Sequence, residues 1–161
     1  MRVSFLLNGD KTTLNVHPNT RLIEVLRKDL ALTGARPGCL YGTCGFCAIL
    51  LDGELSLSCM MPAFRVNNCD VTTIEGFMET RDFRDIEIGF HRAGSVPCKF
   101  CASAKVLTTH WAITSHPTPD SETLNRAVNA VQCRCTSYAR FSNAIRYSAE
   151  VRRKRLHGRK R

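Results

Sequence analysis

The chain has 161 residues, 43% hydrophobic and 23% charged, which suits one ordinary globular domain or two small ones and excludes a disordered or fibrous protein. Its formal charge is +9, yet Arg152, Arg153, Lys154, Arg155, Arg159, Lys160 and Arg161 all follow Glu150 with no acid among them, so the body is nearly neutral and carries a basic tail. No apolar run approaches the roughly 20 residues of a membrane span, and the first residues lack the cleavage pattern of a secretory leader. A cytoplasmic location is expected. The tail reads as a solvated terminus, and the body does not interleave basic and aromatic residues as a nucleic-acid platform does, so nucleic acid is not an expected partner.

The first half alternates short strands with turns. Arg2 to Leu7 is β-prone, Asn8-Gly9-Asp10 carries a hairpin signal, and Lys11 to Val16 returns as a second strand. Arg21 to Leu30 places Leu22, Ile23, Leu26 and Leu30 at helical spacing. Residues 34 to 47 hold three cysteines and four glycines with no period, a loop that needs something besides an apolar core to hold it. Phe46 to Leu51, the turn Asp52-Gly53 and Leu55 to Ser58 read as another hairpin, and Val71 to Ile74 as a last strand. From about residue 80 the pattern turns helical: Arg81 to His91, Phe100 to Ile113, Ser121 to Val131 and Tyr138 to Val151, with Pro117 to Asp120 as a break.

Nine cysteines are more than packing explains. Cys39, Cys44 and Cys47 form C-x4-C-x2-C, and Cys59 follows on the strand after the second hairpin. This is the ligand spacing of plant-type [2Fe-2S] ferredoxins. Thiolates on iron need N–H donors aimed at sulfur, and Gly38, Gly42 and Gly45 let the backbone come close. The second set is Cys98-Lys99-Phe100-Cys101 with Cys133-Arg134-Cys135. Two such pairs suit tetrahedral zinc or a second iron–sulfur cluster, and spacing alone leaves both open. Disulfides are the remaining alternative for all nine, disfavoured without a leader. Cys69 has no partner at ligand spacing. The histidines at 17, 91, 110, 116 and 157 share no ligand spacing with the cysteines, and His110 beside Trp111 reads as core or helix interface. No catalytic residue stands out.

The segments Gly38-Cys39-Leu40-Tyr41-Gly42-Thr43-Cys44-Gly45-Phe46-Cys47, Leu51-Asp52-Gly53, Ser58-Cys59, Thr73-Ile74-Glu75-Gly76, Cys98-Lys99-Phe100-Cys101 and Cys133-Arg134-Cys135-Thr136-Ser137-Tyr138 resemble the small iron–sulfur subunit of the xanthine oxidase and carbon monoxide dehydrogenase family of molybdenum hydroxylases. The resemblance runs from about residue 2 to 150. It implies an α+β chain: a β-grasp plant-type ferredoxin domain over 1–78, a four-helix domain over 79–151, and the basic tail over 152–161. It also implies two [2Fe-2S] clusters, one on Cys39, Cys44, Cys47 and Cys59, the other on Cys98, Cys101, Cys133 and Cys135. Electrons would pass from a molybdenum–pterin centre on a large subunit to FAD on a medium subunit, in a dehydrogenase of purines, N-heterocycles or aldehydes.

The departures fall in the helical half. Where the family has Gln-Cys-Gly-Phe-Cys-Thr-Pro-Gly, the chain reads Pro97-Cys98-Lys99-Phe100-Cys101-Ala102-Ser103-Ala104, and Ser137 replaces a glycine. Pro97 offers no hydrogen-bond donor where the family glutamine meets the pterin, and Lys99 adds a cation beside the cluster. These departures fit either drift in a divergent but ordinary member, or an altered pterin contact or a partner other than the usual molybdenum subunit. Two rivals stand beside this reading: a free-standing two-cluster carrier, and a zinc-stapled module whose tail binds nucleic acid.

Overall fold

Alternation along the first strand decides the layering. In β1 (Arg2–Leu7) Val3, Phe5 and Leu7 are buried, each flanked by residues that are more exposed, so one face of the strand meets the core. The computed structural model describes residues 1–158; Arg159, Lys160 and Arg161 of the basic tail lie outside the described residues. Asn8 and Gly9, both with positive φ, turn the chain into β2 (Asp10–Asn15), which pairs antiparallel with β1 and sets Leu7 opposite Asp10. A second hairpin joins β3 (Ala48–Leu51) to β4 (Glu54–Leu57). β5 (Asp70–Thr72) slots in parallel to β1 and antiparallel to β3, which gives the order β2-β1-β5-β3-β4.

The helix of this half, α1 (Leu22–Glu24), widens at once into a π-helical turn over Val25–Asp29. It still buries Leu22, Ile23, Val25 and Leu26, and Leu22, Val25 and Leu26 close the core formed with Val3, Phe5, Ile49 and Val71. The last strand is shorter than the sequence suggests. Thr73 N–H donates to Asn8 Oδ1 at 2.8 Å, turning the chain out of the sheet, and Ile74 opens the short α2 (Ile74–Phe77) instead.

Four longer helices follow. Thr80 caps α3 (Arg81–Arg92), its Oγ1 accepting from Phe83 N–H at 3.1 Å, and Asp120 caps α5 (Ser121–Asn129) through Thr123 N–H at 2.8 Å. With α4 (Ala102–Ser115) and α6 (Tyr138–Gly158) they enclose Ile86, Phe90, Leu107, Ile113, Phe141 and Ile145. Leu50 of β3 joins the same core, and Trp111 Nε1 donates to Glu54 at 3.1 Å, so the sheet and the helices share a seam. α6 runs past Val151 into the basic run. Arg152 lies 3.2 Å from Asp82 and Arg155 lies 2.7 Å from Asp85, with Asp82 also pairing with Arg155. These two arginines are fastened to α3, so the expectation of a merely solvated terminus does not describe them. Among the described residues no helix is long and apolar enough to cross a membrane.

Candidate metal centres

The loop before β3 builds the first centre from its own backbone. Cys39 Sγ accepts from the N–H of Thr43 at 3.3 Å and of Cys44 at 3.4 Å, while Cys44 Sγ accepts from Cys39 N–H at 3.4 Å. Two sulfurs therefore sit among converging amide donors, as an anionic iron–sulfur site needs. A Cβ at position 38 would come within 2.6 Å of Cys44 Sγ, so only glycine leaves that sulfur room. Cys47 and Cys59 are buried together with Ile23. Ser58, itself fully buried, donates from N–H (3.2 Å) and Oγ (2.8 Å) to Cys47 O. That pair of bonds brings Cys59 beside the loop, in a 3-10 turn over Ser58–Met60 just past β4 and not on the strand itself.

The second centre forms where two loops face each other. Cys98 precedes α4 and Cys101 is its N-cap residue, while Cys133 and Cys135 lie between α5 and α6. Cys101 Sγ and Cys133 Sγ are 3.7 Å apart. All four cysteines line one recess of about 620 Å³, with Phe46, Phe100, Gln132 and Arg134. Among the described residues no carboxylate lines it, so the donor set there is sulfur alone. Among the described residues no three potential ligands gather at a single-ion site; a [2Fe-2S] cluster does not ask for one, because each iron takes two protein ligands. All nine cysteines are free of disulfides.

Each centre pairs an easily ionised sulfur with a buried one. The Cys39 thiol drops to about 5, first through its hydrogen bond with Thr43 and then through backbone N–H groups. Burial pushes Cys47 up to about 12. In the second centre burial pushes Cys101 up to about 12; Cys133 is opposed by burial too, but the N–H groups of Cys135 and Thr136 outweigh it and bring the thiol down to about 6. Backbone hydrogen bonds from Cys101 and Phe100 also lower Cys98. A buried thiol becomes a ligand only when a cation arrives to hold its charge. Both donor sets fit that chemistry.

The two centres touch. Gln132 N–H donates to Cys44 O at 3.0 Å, which joins the first loop to the residue before Cys133 by one hydrogen bond. Gly45 makes the contact possible, since it has φ +77 and a Cβ there would lie 1.9 Å from Ala130 O. Phe46 stands edge-on to Phe100 at 5.0 Å. The structure gathers the eight cysteines named from sequence into two groups of four, while the contacts made by Gln132 and Phe46 across the centres are not legible in their motifs.

A [2Fe-2S] binding domain family matches residues 73–146. The nicotinate dehydrogenase small FeS subunit of Eubacterium barkeri is 32% identical over 148 residues, spanning 92% of this chain and 94% of that one. The chain belongs to the small iron–sulfur subunits of the molybdenum hydroxylase family of xanthine oxidase. A probable xanthine dehydrogenase subunit of Bacillus subtilis is 29% identical over 96% of this chain and 87% of its own length. In structure, quinoline 2-oxidoreductase from Pseudomonas putida 86 is similar with a TM-score of 0.85 at 31% identity, over 95% of this chain and 96% of the matched chain. Membership makes this an electron-transfer subunit of an oxidoreductase, and the expected two-domain α+β fold is borne out.

The remaining residues singled out from sequence lie apart from both centres. Cys69 is half-buried, its Sγ 3.7 Å from Arg65 O, and burial raises its thiol. His110 packs on the Phe77 ring at 4.6 Å and faces Asp82 at 3.5 Å. Pro97 lines an apolar recess with Val96, Met78 and Phe83, and Lys99 is exposed.

Proposed function

We propose that the chain carries two [2Fe-2S] clusters and relays electrons between partner subunits. Cys39, Cys44, Cys47 and Cys59 hold one cluster, in a ferredoxin-like domain over 1–78. Cys98, Cys101, Cys133 and Cys135 hold the other, in a helical domain over 79–151, with 152–161 as a basic tail. When bound, the clusters supply reversible one-electron chemistry. The protein's own part is to fix eight sulfurs, aim amide N–H groups at them, keep water from Cys44, Cys47, Cys59 and Cys101, and hold the two sites in contact.

The observation that carries this reading is the Gln132 N–H to Cys44 O hydrogen bond at 3.0 Å. It gives a short path of covalent bonds and one hydrogen bond between two four-cysteine sites. A zinc staple has no use for such a path. Electrons enter from a molybdenum–pterin centre on a large subunit and leave to FAD on a medium subunit, in a cytoplasmic dehydrogenase of purines, N-heterocycles or aldehydes. The named relatives, a nicotinate dehydrogenase subunit and a xanthine dehydrogenase subunit, support that class of substrate. Pro97 favours one second reading, a relay whose molybdenum subunit is replaced, because it sets an apolar surface where the family places a glutamine.

Metal and sulfide analysis of the complex, purified without oxygen, tests both. The expected result is about four irons and four acid-labile sulfides per chain, with molybdenum equimolar to the chain. Iron without molybdenum selects the second reading. Zinc in place of half the iron overturns the two-cluster assignment.

A further inference from the structure

A buried lysine stands one helical turn from the second centre. Lys105 lies in the first turns of α4, and its N–H makes the helix's opening hydrogen bond to Cys101 O at 3.0 Å. Its side chain is 0% exposed. Nζ has no hydrogen-bond partner among the described residues and lies over the Phe141 ring, 4.6 Å from the centroid. Two physical rules are broken here. An ammonium out of water needs a partner, and a cation near a helix N-terminus opposes the helix dipole. A ring face compensates only in part. Local rules broken without local compensation point to function, and the four sulfurs gathered in the recess one turn away need positive charge once they bind as thiolates.

We propose that Lys105 is the built-in counter-cation of the helical-domain cluster and raises its reduction potential. The proposal rests on the assignment of Cys98, Cys101, Cys133 and Cys135 to a cluster. Two ferric irons, two sulfides and four thiolates sum to a dianion, and one added electron makes a trianion; no bond forms or breaks and no proton is needed. A fixed positive charge in a low-dielectric interior stabilises the trianion more than the dianion. Lys99 carries the same charge but is exposed, where water and salt screen it. Burial, not sequence distance, therefore assigns the tuning role to Lys105.

The test is a redox titration with dithionite and mediators, followed by electron paramagnetic resonance, on the complex containing the full chain. Cys98→Ser identifies the helical cluster as the signal it alters. In Lys105→Met the reduced-to-oxidised ratio of that cluster at fixed potential is expected to fall about tenfold, or about 59 mV for a one-electron couple, while the other cluster barely moves. Lys105→Gln should do the same if the methionine variant folds poorly, and Lys105→Arg should restore the potential. Lys99→Gly should produce a smaller shift that fades with salt. Unmoved potentials in both neutral variants, with both signals present, overturn the role of Lys105. If Cys98→Ser leaves every signal intact, the cluster assignment fails and the proposal falls with it.

Discussion

The two cysteine sites solve one problem in opposite ways. The site before β3 is closed: Cys44, Cys47 and Cys59 are buried, and only Cys39 is partly accessible. The site between α4 and α6 is open: Cys101 is buried, Cys133 half-buried, and Cys98 and Cys135 exposed. A closed site is organised by its own loop, whose amides point at sulfur. An open site borrows its walls, and Phe46 from the other half of the molecule is one of them. The difference teaches that the helical site depends on its neighbours, the β3 loop among them.

The largest effects should come from the buried ligands. Cys47→Ser and Cys101→Ser should each halve the iron content, and the loss should unfold the domain concerned, because metal binding is folding energy. If the comparison holds, Cys47→Ser lowers the unfolding temperature more than Cys98→Ser does; equal losses by differential scanning calorimetry would break it. Next comes the contact between sites. Gly45→Ala forces a side chain at φ +77 to within 1.9 Å of Ala130 O, so it should cost at least about 1–3 kcal/mol and slow electron transfer between the clusters. Unchanged kinetics after flash reduction would remove Gly45 from the path.

Smaller effects test the frame behind the open site. Asp82→Asn weakens the tie of Arg152 and Arg155 to α3 and should cost about 1–3 kcal/mol, between the surface and buried limits for ion pairs. Hydrogen exchange should quicken in α6 after Val151 and leave the β3 loop unchanged. The smallest effect is a pH slope. Burial, helped by Arg152 and opposed by Asp82, lowers His110 below its ordinary 6.5. The unfolded chain then takes up a proton first, so stability falls as pH drops below 6.5 and levels off under the folded value, at no more than about 1.4 kcal/mol per pH unit. His110→Gln should flatten the stability curve in that window alone.

Much of this is legible in the sequence because it depends on local chemistry. Alternation in Val3, Phe5 and Leu7 and the Asn8-Gly9 turn mark the first hairpin, and C-x4-C-x2-C marks the closed site outright. Ile74 reads wrongly as strand because the end of β5 is set by Asn8, distant in the chain, through its bond to Thr73 N–H. The basic run after Glu150 looks solvated because its partners, Asp82 and Asp85, sit on a helix about 70 residues earlier. Lys105 lies within an apolar stretch and reads as an ordinary helical lysine until its burial is seen. Residues whose partners are close in sequence declare themselves; those partnered across the fold do not.

Two cluster sites that touch through the Cys44–Gln132 contact should sense one another's spin. Electron paramagnetic resonance of the reduced complex addresses this directly. Two distinct [2Fe-2S] signals are expected that broaden one another when both clusters are reduced, with Cys98→Ser altering one signal and relieving the broadening in the other. A single [2Fe-2S] signal, or two that never influence each other, would contradict this.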